Sequence, residues 1–126
     1  MTDPTWTISQ LAQEFGITPR TLRFYEDHGI VSPSRERRNR VYSARDRARL
    51  KLALRGKRLG LQLSEILALI NMYEAPGDTT AQLRHYVDVL QQHRTVLQQQ
   101  QKDITETLAE IETQLSHCQG LLSRQA

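Results

Sequence analysis

Two short helices are predicted near the N-terminus from the spacing of apolar residues. Positions 8, 11, 12 and 15 are apolar and fall on one face of a helix, which predicts a first helix there. Thr7 stands where a capping hydroxyl is needed, and Gly16 stands just past the C-terminal end. Thr18 followed by Pro19 predicts the start of a second helix, which ends near Gly29. The pattern therefore predicts two helices joined by a tight turn.

The segment that follows changes character, because residues 32–40 contain almost no apolar side chains. This composition predicts a loop. The apolar pair Val41–Tyr42 predicts the return strand of a short hairpin, with Ile30 and Val31 as candidate partners before the loop. The hairpin is thus expected to carry the polar loop at its tip.

Two further helices are predicted before the pattern breaks again. Ser43, with Asp46 three residues later, predicts the start of a third helix, which ends by Gly60. A broad apolar face predicts a fourth helix over residues 64–73. Residues 75–80 include a proline and a glycine and predict a hinge loop.

The period of the pattern changes after the hinge. Twelve positions from Leu83 to Leu122 follow at alternating intervals of four and three, and ten of them are apolar when Cys118 is counted. Such spacing is typical of a coiled coil. A helix of about 40 residues would be about 60 Å long, more than the preceding residues can cover, which predicts a homodimer with a second copy. The predicted dimerisation residues are Leu83, Val87, Leu90, Leu97, Ile104, Leu108, Ile111 and Leu115.

Positive charge is concentrated in the N-terminal half. Residues 1–60 contain 13 Lys and Arg against 6 Asp and Glu, whereas residues 61–126 contain 4 against 8. Clustered Lys and Arg favour nucleic acid as the partner first, and an anionic membrane surface second. The 126 residues amount to about one domain, and no apolar run is long enough to span a bilayer. The single cysteine, Cys118, excludes an intramolecular disulfide and favours a cytoplasmic location.

The two N-terminal helices have the spacing of a helix-turn-helix motif. In this motif the second helix enters the major groove of DNA, and its N-terminal residues contact the bases. An arginine-rich hairpin after it is suited to phosphates or to a minor groove. A solvated basic helix face and a disordered basic loop are the alternative interpretations. The DNA-binding residues that the motif and the hairpin predict are Thr18, Arg20, Thr21, Arg23, Tyr25, Arg35, Arg38 and Arg40.

Four stretches of the chain together form a more specific pattern. They read Trp6-Thr-Ile-Ser-Gln-Leu-Ala, Gly16-Ile-Thr-Pro-Arg-Thr-Leu-Arg-Phe-Tyr-Glu, Gly29-Ile-Val and Arg40-Val-Tyr-Ser. In this combination they resemble the MerR family of bacterial transcriptional regulators, over roughly residues 6–74. The stretch from Ala44 to Gly60 resembles, more narrowly, the LiuR-type subgroup, whose members control branched-chain amino-acid and related acyl-CoA catabolism.

The resemblance implies a mainly α fold: a winged helix-turn-helix domain over residues 1–74, a hinge over 75–80, and a dimerisation helix over 81–126 that forms an antiparallel coiled coil. It implies that the homodimer binds a pseudo-palindrome within an over-long promoter spacer, and that an effector lets it bend and untwist this double-stranded DNA for RNA polymerase. Arg40 and Tyr42 match the Arg-x-Tyr of the family's wing, so the resemblance adds Tyr42 to the predicted DNA-binding residues. Two positions depart from the family pattern. Phe24 replaces a frequent Tyr, and Arg38-Asn39 replaces the usual glycine of the wing.

The residues that would sense a signal are less clearly marked. Cys118 lacks a second cysteine, so it is interpreted as a packed apolar residue of the coil and no metal site is predicted. A small-molecule effector is expected between the DNA-binding domain, the hinge and the long helix, although these side chains can equally be interpreted as hinge packing. The candidate effector residues are Tyr73, Arg84, His85 and Tyr86.

An adaptor protein and an enzyme are the functional classes that compete with DNA binding. A coiled-coil adaptor whose basic head binds an acidic partner is the alternative function, and steep salt dependence of duplex binding would distinguish the two. An enzyme is not predicted, because no nucleophile stands with a base partner at recognisable spacing. No cofactor and no membrane partner are predicted.

Overall fold

The computed structural model describes residues 3–125, which form five helices and one hairpin in two compact units. One unit ends at Leu83 and the other begins at Arg84. The elements in chain order are α1 (Ile8–Phe15), α2 (Pro19–Asp27), β1 (Ser34–Glu36), β2 (Asn39–Val41), α3 (Ala44–Arg58), α4 (Leu63–Glu74) and α5 (Thr80–Gln125).

The helix-turn-helix forms where the capping residues place it. The Thr7 hydroxyl accepts a hydrogen bond from the Gln10 backbone N–H, and the Gln10 side chain accepts one from the Thr7 N–H. Gly16 ends α1 at a φ of 65°, in the left-handed region that glycine adopts without a Cβ clash. The Thr18 hydroxyl then accepts a hydrogen bond from the Thr21 N–H and starts α2. Both predicted helices are confirmed.

The wing differs from the predicted hairpin. The strand β1 pairs with β2 in antiparallel fashion, with Ser34 opposite Val41 and Glu36 opposite Asn39. The pairing partners predicted before the loop, Ile30 and Val31, were wrong, and so was the assignment of all of residues 32–40 to a loop. Polar residues can form these strands because the two strands pair through backbone hydrogen bonds and their side chains are largely exposed.

Ile30 and Val31 are apolar for a different reason, since both are buried in the core. The Ile30 N–H donates to the Tyr25 carbonyl, which closes the end of α2. Tyr42, beyond β2, pairs its backbone with that of Trp6, each N–H donating to the other's carbonyl at 2.9 Å. These contacts attach both ends of the wing to the helix-turn-helix.

The helices α3 and α4 complete the first unit by packing on each other. Gly56 is buried in α3, and a Cβ there would lie 2.9 Å from the Ile66 side chain, so the absence of a side chain allows the close approach. The capping box of Ser43 and Asp46 starts α3 as predicted. The largest fully buried side chains are Tyr42, Leu11, Leu22, Ile30, Leu50, Ile70 and Val31.

The long helix α5 has 46 residues, about 69 Å at the standard helical rise. It leaves a row of large apolar side chains exposed, including most of the predicted dimerisation residues. Within residues 3–125, no helix combines the length and apolar character needed to cross a bilayer. The exposed members of the row are Leu83, Val87, Leu97, Ile104, Leu108, Ile111, Leu115 and Leu122.

Candidate nucleic-acid interface

The first turns of α2 present two exposed cations. Arg20 and Arg23 are three residues apart, so their side chains leave the same side of the helix. Thr18 and Thr21 stand beside them with hydroxyl oxygens 3.0 Å apart. Because Thr18 also caps the helix, its hydroxyl has a structural role that fixes where α2 begins. The arrangement provides guanidinium donors on a helix whose first residue is fixed by the Thr18 cap.

The two tyrosines predicted to contact DNA are instead buried. Tyr25 faces the core from α2, and Tyr42 is fully enclosed after β2. Burial raises the pKa of both phenols above the ordinary value of 10.0. Among the residues described, nothing hydrogen-bonds the buried Tyr42 hydroxyl. Their placement revises the prediction, since both side chains pack in the core and do not present their hydroxyls at the surface.

The wing carries its arginines in two different environments. Arg40 donates from Nε to a Glu26 carboxylate oxygen at 2.7 Å, and its side chain is 24% exposed. Arg35 lies 3.8 Å from the other Glu26 oxygen and is 54% exposed. Arg38 is exposed at the turn, beside Arg37, whose φ is 62°. The wing thus presents Arg35 and Arg38 to solvent more than Arg40.

A groove of about 470 Å³ lies between α2 and the α3–α4 pair. Its rim includes Arg20, Thr21 and Lys57, and Leu61 and Ile66 contribute apolar side chains to the lining. Lys57 lies in the last turn of α3, where a cation is also favoured by the helix dipole. Lys57 is not among the DNA-binding residues predicted from the sequence, although it belongs to a basic run at the end of α3 that could have identified it.

Phe24, the departure from the family pattern, also lines this groove. Its ring is half exposed, with its centroid 4.3 Å from that of His28 and 5.7 Å from that of Tyr25. A tyrosine hydroxyl at this position would stand at the surface, whereas the phenylalanine ring offers only an apolar face. The ring therefore adds contact area but no hydrogen bond to the interface.

A buried arginine holds the end of α2 from behind. Arg49 donates from Nε to the Ile30 carbonyl at 2.6 Å and from Nη2 to the Gly29 carbonyl at 3.1 Å. Its remaining nitrogen pairs with Glu74, the last residue of α4. Arg45 also binds Glu74, and hydrogen bonding from this arginine lowers the pKa of the Glu74 carboxyl. This network is not predictable from the sequence, because its members are far apart along the chain.

A second arginine connects α1 to α3. Arg47 binds the Glu14 carboxylate through two nitrogens, and this hydrogen bonding lowers the pKa of Glu14. The same guanidinium lies 5.7 Å from the ring centroids of both Trp6 and Phe15. This cluster fixes the first helix on the scaffold that carries α2.

The residues predicted to sense an effector belong to both compact units. Tyr73 is exposed at the end of α4, whereas Arg84 and His85 are exposed on α5 and Tyr86 is half-buried there. Cys118 is exposed on α5. Within residues 3–125, no three His, Cys, Asp or Glu side chains are grouped as metal ligands. The effector residues therefore stay a prediction.

A helix-turn-helix followed by an arginine-bearing hairpin and two packed helices defines a winged helix-turn-helix protein. Comparison with known families identifies which family of such proteins the chain matches. The sequence profile of the MerR HTH family of regulatory proteins matches residues 6–72, and a profile described as MerR, DNA binding, matches residues 47–114. The chain belongs to the MerR family and is a DNA-binding transcriptional regulator.

Curated relatives agree with this assignment. The chain is 28% identical over 114 residues to the HTH-type transcriptional regulator HmrR of Rhizobium leguminosarum bv. viciae, covering 90% of this chain and 86% of the relative. It is 30% identical over 116 residues to the HTH-type transcriptional regulator CueR of Salmonella typhimurium, covering 90% and 72%. Both relatives are regulators, which supports a role other than catalysis.

Solved structures share the fold. A MerR family transcriptional regulator from Bacillus cereus has a TM-score of 0.66 and 28% identity, covering 86% of this chain and 78% of that one. The N-terminal part of MtaN, the Bacillus subtilis multidrug transporter activator, has a TM-score of 0.59 and 27% identity, covering 87% and 97%. HiNmlR, described as a MerR family regulator lacking the sensor domain and bound to promoter DNA, has a TM-score of 0.60 and 23% identity, covering 83% and 79%.

Proposed function

We propose that a homodimer of this chain binds a promoter inverted repeat, with α2 of each copy in the major groove and each wing on the adjacent backbone. The observation that carries the proposal is the exposure of Arg20 and Arg23 on a capped helix in the same unit as an arginine-bearing wing. Arginine pairs bidentately with guanine or with phosphate, which suits both surfaces. The structural neighbour described as bound to promoter DNA supports this use of the fold.

The proposed contacts divide into base-reading and backbone-binding residues. Arg20, Thr21 and Arg23 lie on α2 and are proposed to read bases, with Thr18 at the helix start. The exposed cations of the wing and groove, Arg35, Arg38 and Lys57, are proposed to bind phosphates.

Substitution of Arg23 tests the base-reading role. Arg23→Ala should weaken binding to a duplex selected by the wild-type protein by roughly 1–3 kcal/mol, and should relax the base preference in each half-site. Lys102→Ala is the matched control, because it removes one positive charge from α5 in the other compact unit. Unchanged affinity and preference for Arg23→Ala would remove this residue from the recognition set.

The proposed homodimer depends on the apolar row of α5. Leu97 is 58% exposed and Ile104 is similarly exposed, so a single copy leaves both side chains largely in water. Leu97→Asp with Ile104→Asp should give a monomer in sedimentation and abolish preference for two half-sites over one. Val96→Asp is the matched control, since Val96 is 56% exposed but lies off the row. A dimer that survives the double substitution, or that Val96→Asp disrupts equally, would contradict the assigned row.

The antiparallel orientation, which rests on the family resemblance, can be tested with the natural cysteine. Cys118 lies 17 residues beyond Gln101, near the middle of the row. If the helices run antiparallel about that position, the two thiols are about 50 Å apart, far beyond the reach of a disulfide. Catalysed oxidation should therefore leave the dimer uncrosslinked, whereas a parallel coil would give a disulfide-linked pair.

The regulatory mode is proposed on the same family grounds. We infer that an effector binds near the 75–80 hinge and alters how far the dimer bends its promoter, which changes access for RNA polymerase in the cytoplasm. The residues proposed to bind the effector are Tyr73, Arg84, His85 and Tyr86. The LiuR-like run in α3 supports amino-acid or acyl-CoA catabolism genes as targets. Sequencing the genomic fragments that the protein retains tests both the target genes and the promoter geometry. Retained fragments without an inverted repeat inside a long promoter spacer would contradict the proposed promoter geometry.

A further inference from the structure

A single carboxylate connects the recognition helix to both strands of the wing. Glu26 lies near the end of α2, and its two oxygens face Arg40 of β2 at 2.7 Å and Arg35 of β1 at 3.8 Å. The two arginines are 9 and 14 residues away along the chain, so the contact exists only because the wing folds back beside α2. No other element supplies an acidic partner to these two arginines in the described part of the chain.

The placement of Glu26 solves an electrostatic problem within the wing. Arg35 and Arg40 are directly opposite each other in the β1–β2 register. Like charges directly opposite on neighbouring strands destabilise a hairpin. A carboxylate that reaches both guanidinium groups converts this repulsion into two attractions, and it attaches the hairpin to α2 at the same time.

The two arginines do not share the carboxylate equally. Arg40 has hydrogen-bonding geometry to Glu26 and a mostly covered side chain, whereas Arg35 is more distant and half exposed. A partly covered ion pair is screened less by salt than an exposed one. Arg40 is therefore held by the protein itself, while Arg35 remains available to an anion from outside.

We propose that Glu26 is a positioning residue of the DNA interface. It neutralises Arg40, and this ion pair fixes the wing relative to α2. Arg35 is then the phosphate-binding cation of the two arginines. This inference rests on the proposed DNA binding. Its consequence is that each wing neutralises fewer phosphates than its arginine count suggests, and does so at a set position relative to α2. Glu26 thus lowers the affinity of the wing for phosphate and fixes the position of the wing relative to α2.

The dependence of affinity on salt concentration tests the proposal directly. Each phosphate that a cation neutralises steepens the logarithmic salt slope by about 0.9. The probe is a random-sequence duplex of about 30 base pairs, roughly three helical turns, titrated between about 50 and 200 mM salt. Glu26→Gln should steepen the slope by about 0.9 for each copy bound, because Arg40 then becomes free to bind a phosphate.

A neighbouring acid provides the matched control. Asp27→Asn removes the same charge from the next position of α2, where the described structure shows no ion pair. It should raise affinity slightly at low salt and leave the slope unchanged. If Glu26→Gln and Asp27→Asn give the same slope, the effect is net charge alone and the positioning role is refuted.

A second pair of variants keeps the test independent of the folding of Glu26→Gln. Arg35→Gln should lower the slope by about 0.9 per copy. Adding Arg40→Gln to it should lower the slope no further, because Arg40 is already neutralised by Glu26. A further decrease of about 0.9 would show that Arg40 binds phosphate itself, and would overturn the proposal.

The same measurements separate this proposal from the function on which it rests. Wild-type protein that fails to bind any duplex at low salt would refute DNA binding. Wild-type protein that binds with a steep slope, but whose slope is insensitive to Glu26→Gln, would refute only the role of Glu26. A merely structural role would lower the unfolding midpoint and weaken binding equally at every salt concentration, without the change in slope.

Discussion

The buried Arg49 offers the sharpest test of how α2 is supported. Its guanidinium hydrogen-bonds the Gly29 and Ile30 carbonyls at the end of α2 and pairs with Glu74 of α4. Arg45 pairs with the same glutamate from an exposed position. Replacing each arginine by methionine therefore removes a cation from the same carboxylate, once from the interior and once from the surface.

The expected loss follows from the hydrogen bonds that Arg49 makes. A hydrogen bond from a charged donor contributes about 1.5–3 kcal/mol, and Arg49→Met leaves two backbone carbonyls without this donor. Glu74 keeps Arg45, so it is not left as an unpaired buried charge. We expect the free energy of unfolding to fall by about 3 kcal/mol, which lowers the unfolding midpoint by about 10 °C for a chain of this size.

Thermal and urea unfolding followed by circular dichroism measure this loss. Protein concentration must be the same for all variants, because a dimer's midpoint depends on it. Arg45→Met should lower the midpoint far less, since exposed ion pairs contribute little. Glu74→Gln should fall between the two, because Arg49 then keeps its carbonyl partners. Equal losses for Arg49→Met and Arg45→Met would refute the reasoning that burial decides the difference.

Four other substitutions test packing, helix propensity, backbone strain and an ion pair. Gly56→Ala should destabilise the protein by about 1–3 kcal/mol, because a methyl group there would lie 2.9 Å from an α4 side chain and overpack the contact. Gly120→Ala meets open space and should stabilise α5 by up to about 1 kcal/mol. Shifts of the urea midpoint in the same direction for both variants would contradict this. Arg37→Gly should raise hairpin stability by about 1 kcal/mol in thermal unfolding, because φ is 62° there; a lowered midpoint would show that no strain exists. Hydrogen bonding from Arg47 lowers the folded pKa of Glu14 below 4.5, so the stability it contributes is present above that pH and lost as pH falls through the folded pKa. Glu14→Gln should therefore flatten the acid side of the stability profile, and an unchanged profile between pH 2 and 5, roughly one to two pH units around the carboxyl pKa, would contradict the assignment.

The helix boundaries of the first unit were predictable because their signals are local. A hydroxyl that caps its own helix, as Thr7, Thr18 and Ser43 do, bonds a backbone N–H three residues away. Nothing distant along the chain decides whether that bond forms. The positions of α1, α2 and α3 therefore followed from short stretches of sequence.

The wing was mispredicted for the complementary reason. Ile30 and Val31 are apolar, and a short apolar pair before a polar loop has the appearance of a strand. Their side chains are buried in the core, and the true strands, β1 and β2, are almost entirely polar. A hydrophobic pattern reports burial, and it identifies a strand only where the strand is itself half buried. An exposed hairpin gives no such signal.

The same limitation applied to the tyrosines. A hydroxyl that could donate to a phosphate assigns Tyr25 to DNA, and the family's Arg-x-Tyr wing motif assigns Tyr42, yet both rings are in the core. A tyrosine has enough apolar surface to be a core residue and enough polarity to be a ligand-binding one. Only the packing of distant elements decides between these roles, and sequence spacing does not contain that information.

The charge of the basic half has the most direct consequence for function. In the described part of the chain, five of its 13 cations form ion pairs with carboxylates, but the distant and half-exposed Arg35 stays available to phosphate, so at most nine per copy are free to neutralise phosphates. At about 0.9 for each phosphate, the logarithmic salt slope of one bound copy should not exceed about 8, whereas counting every cation would allow about 12. A measured slope above the lower limit would mean that DNA displaces carboxylates from arginines that hold the fold together. The five paired cations are Arg35, Arg40, Arg45, Arg47 and Arg49.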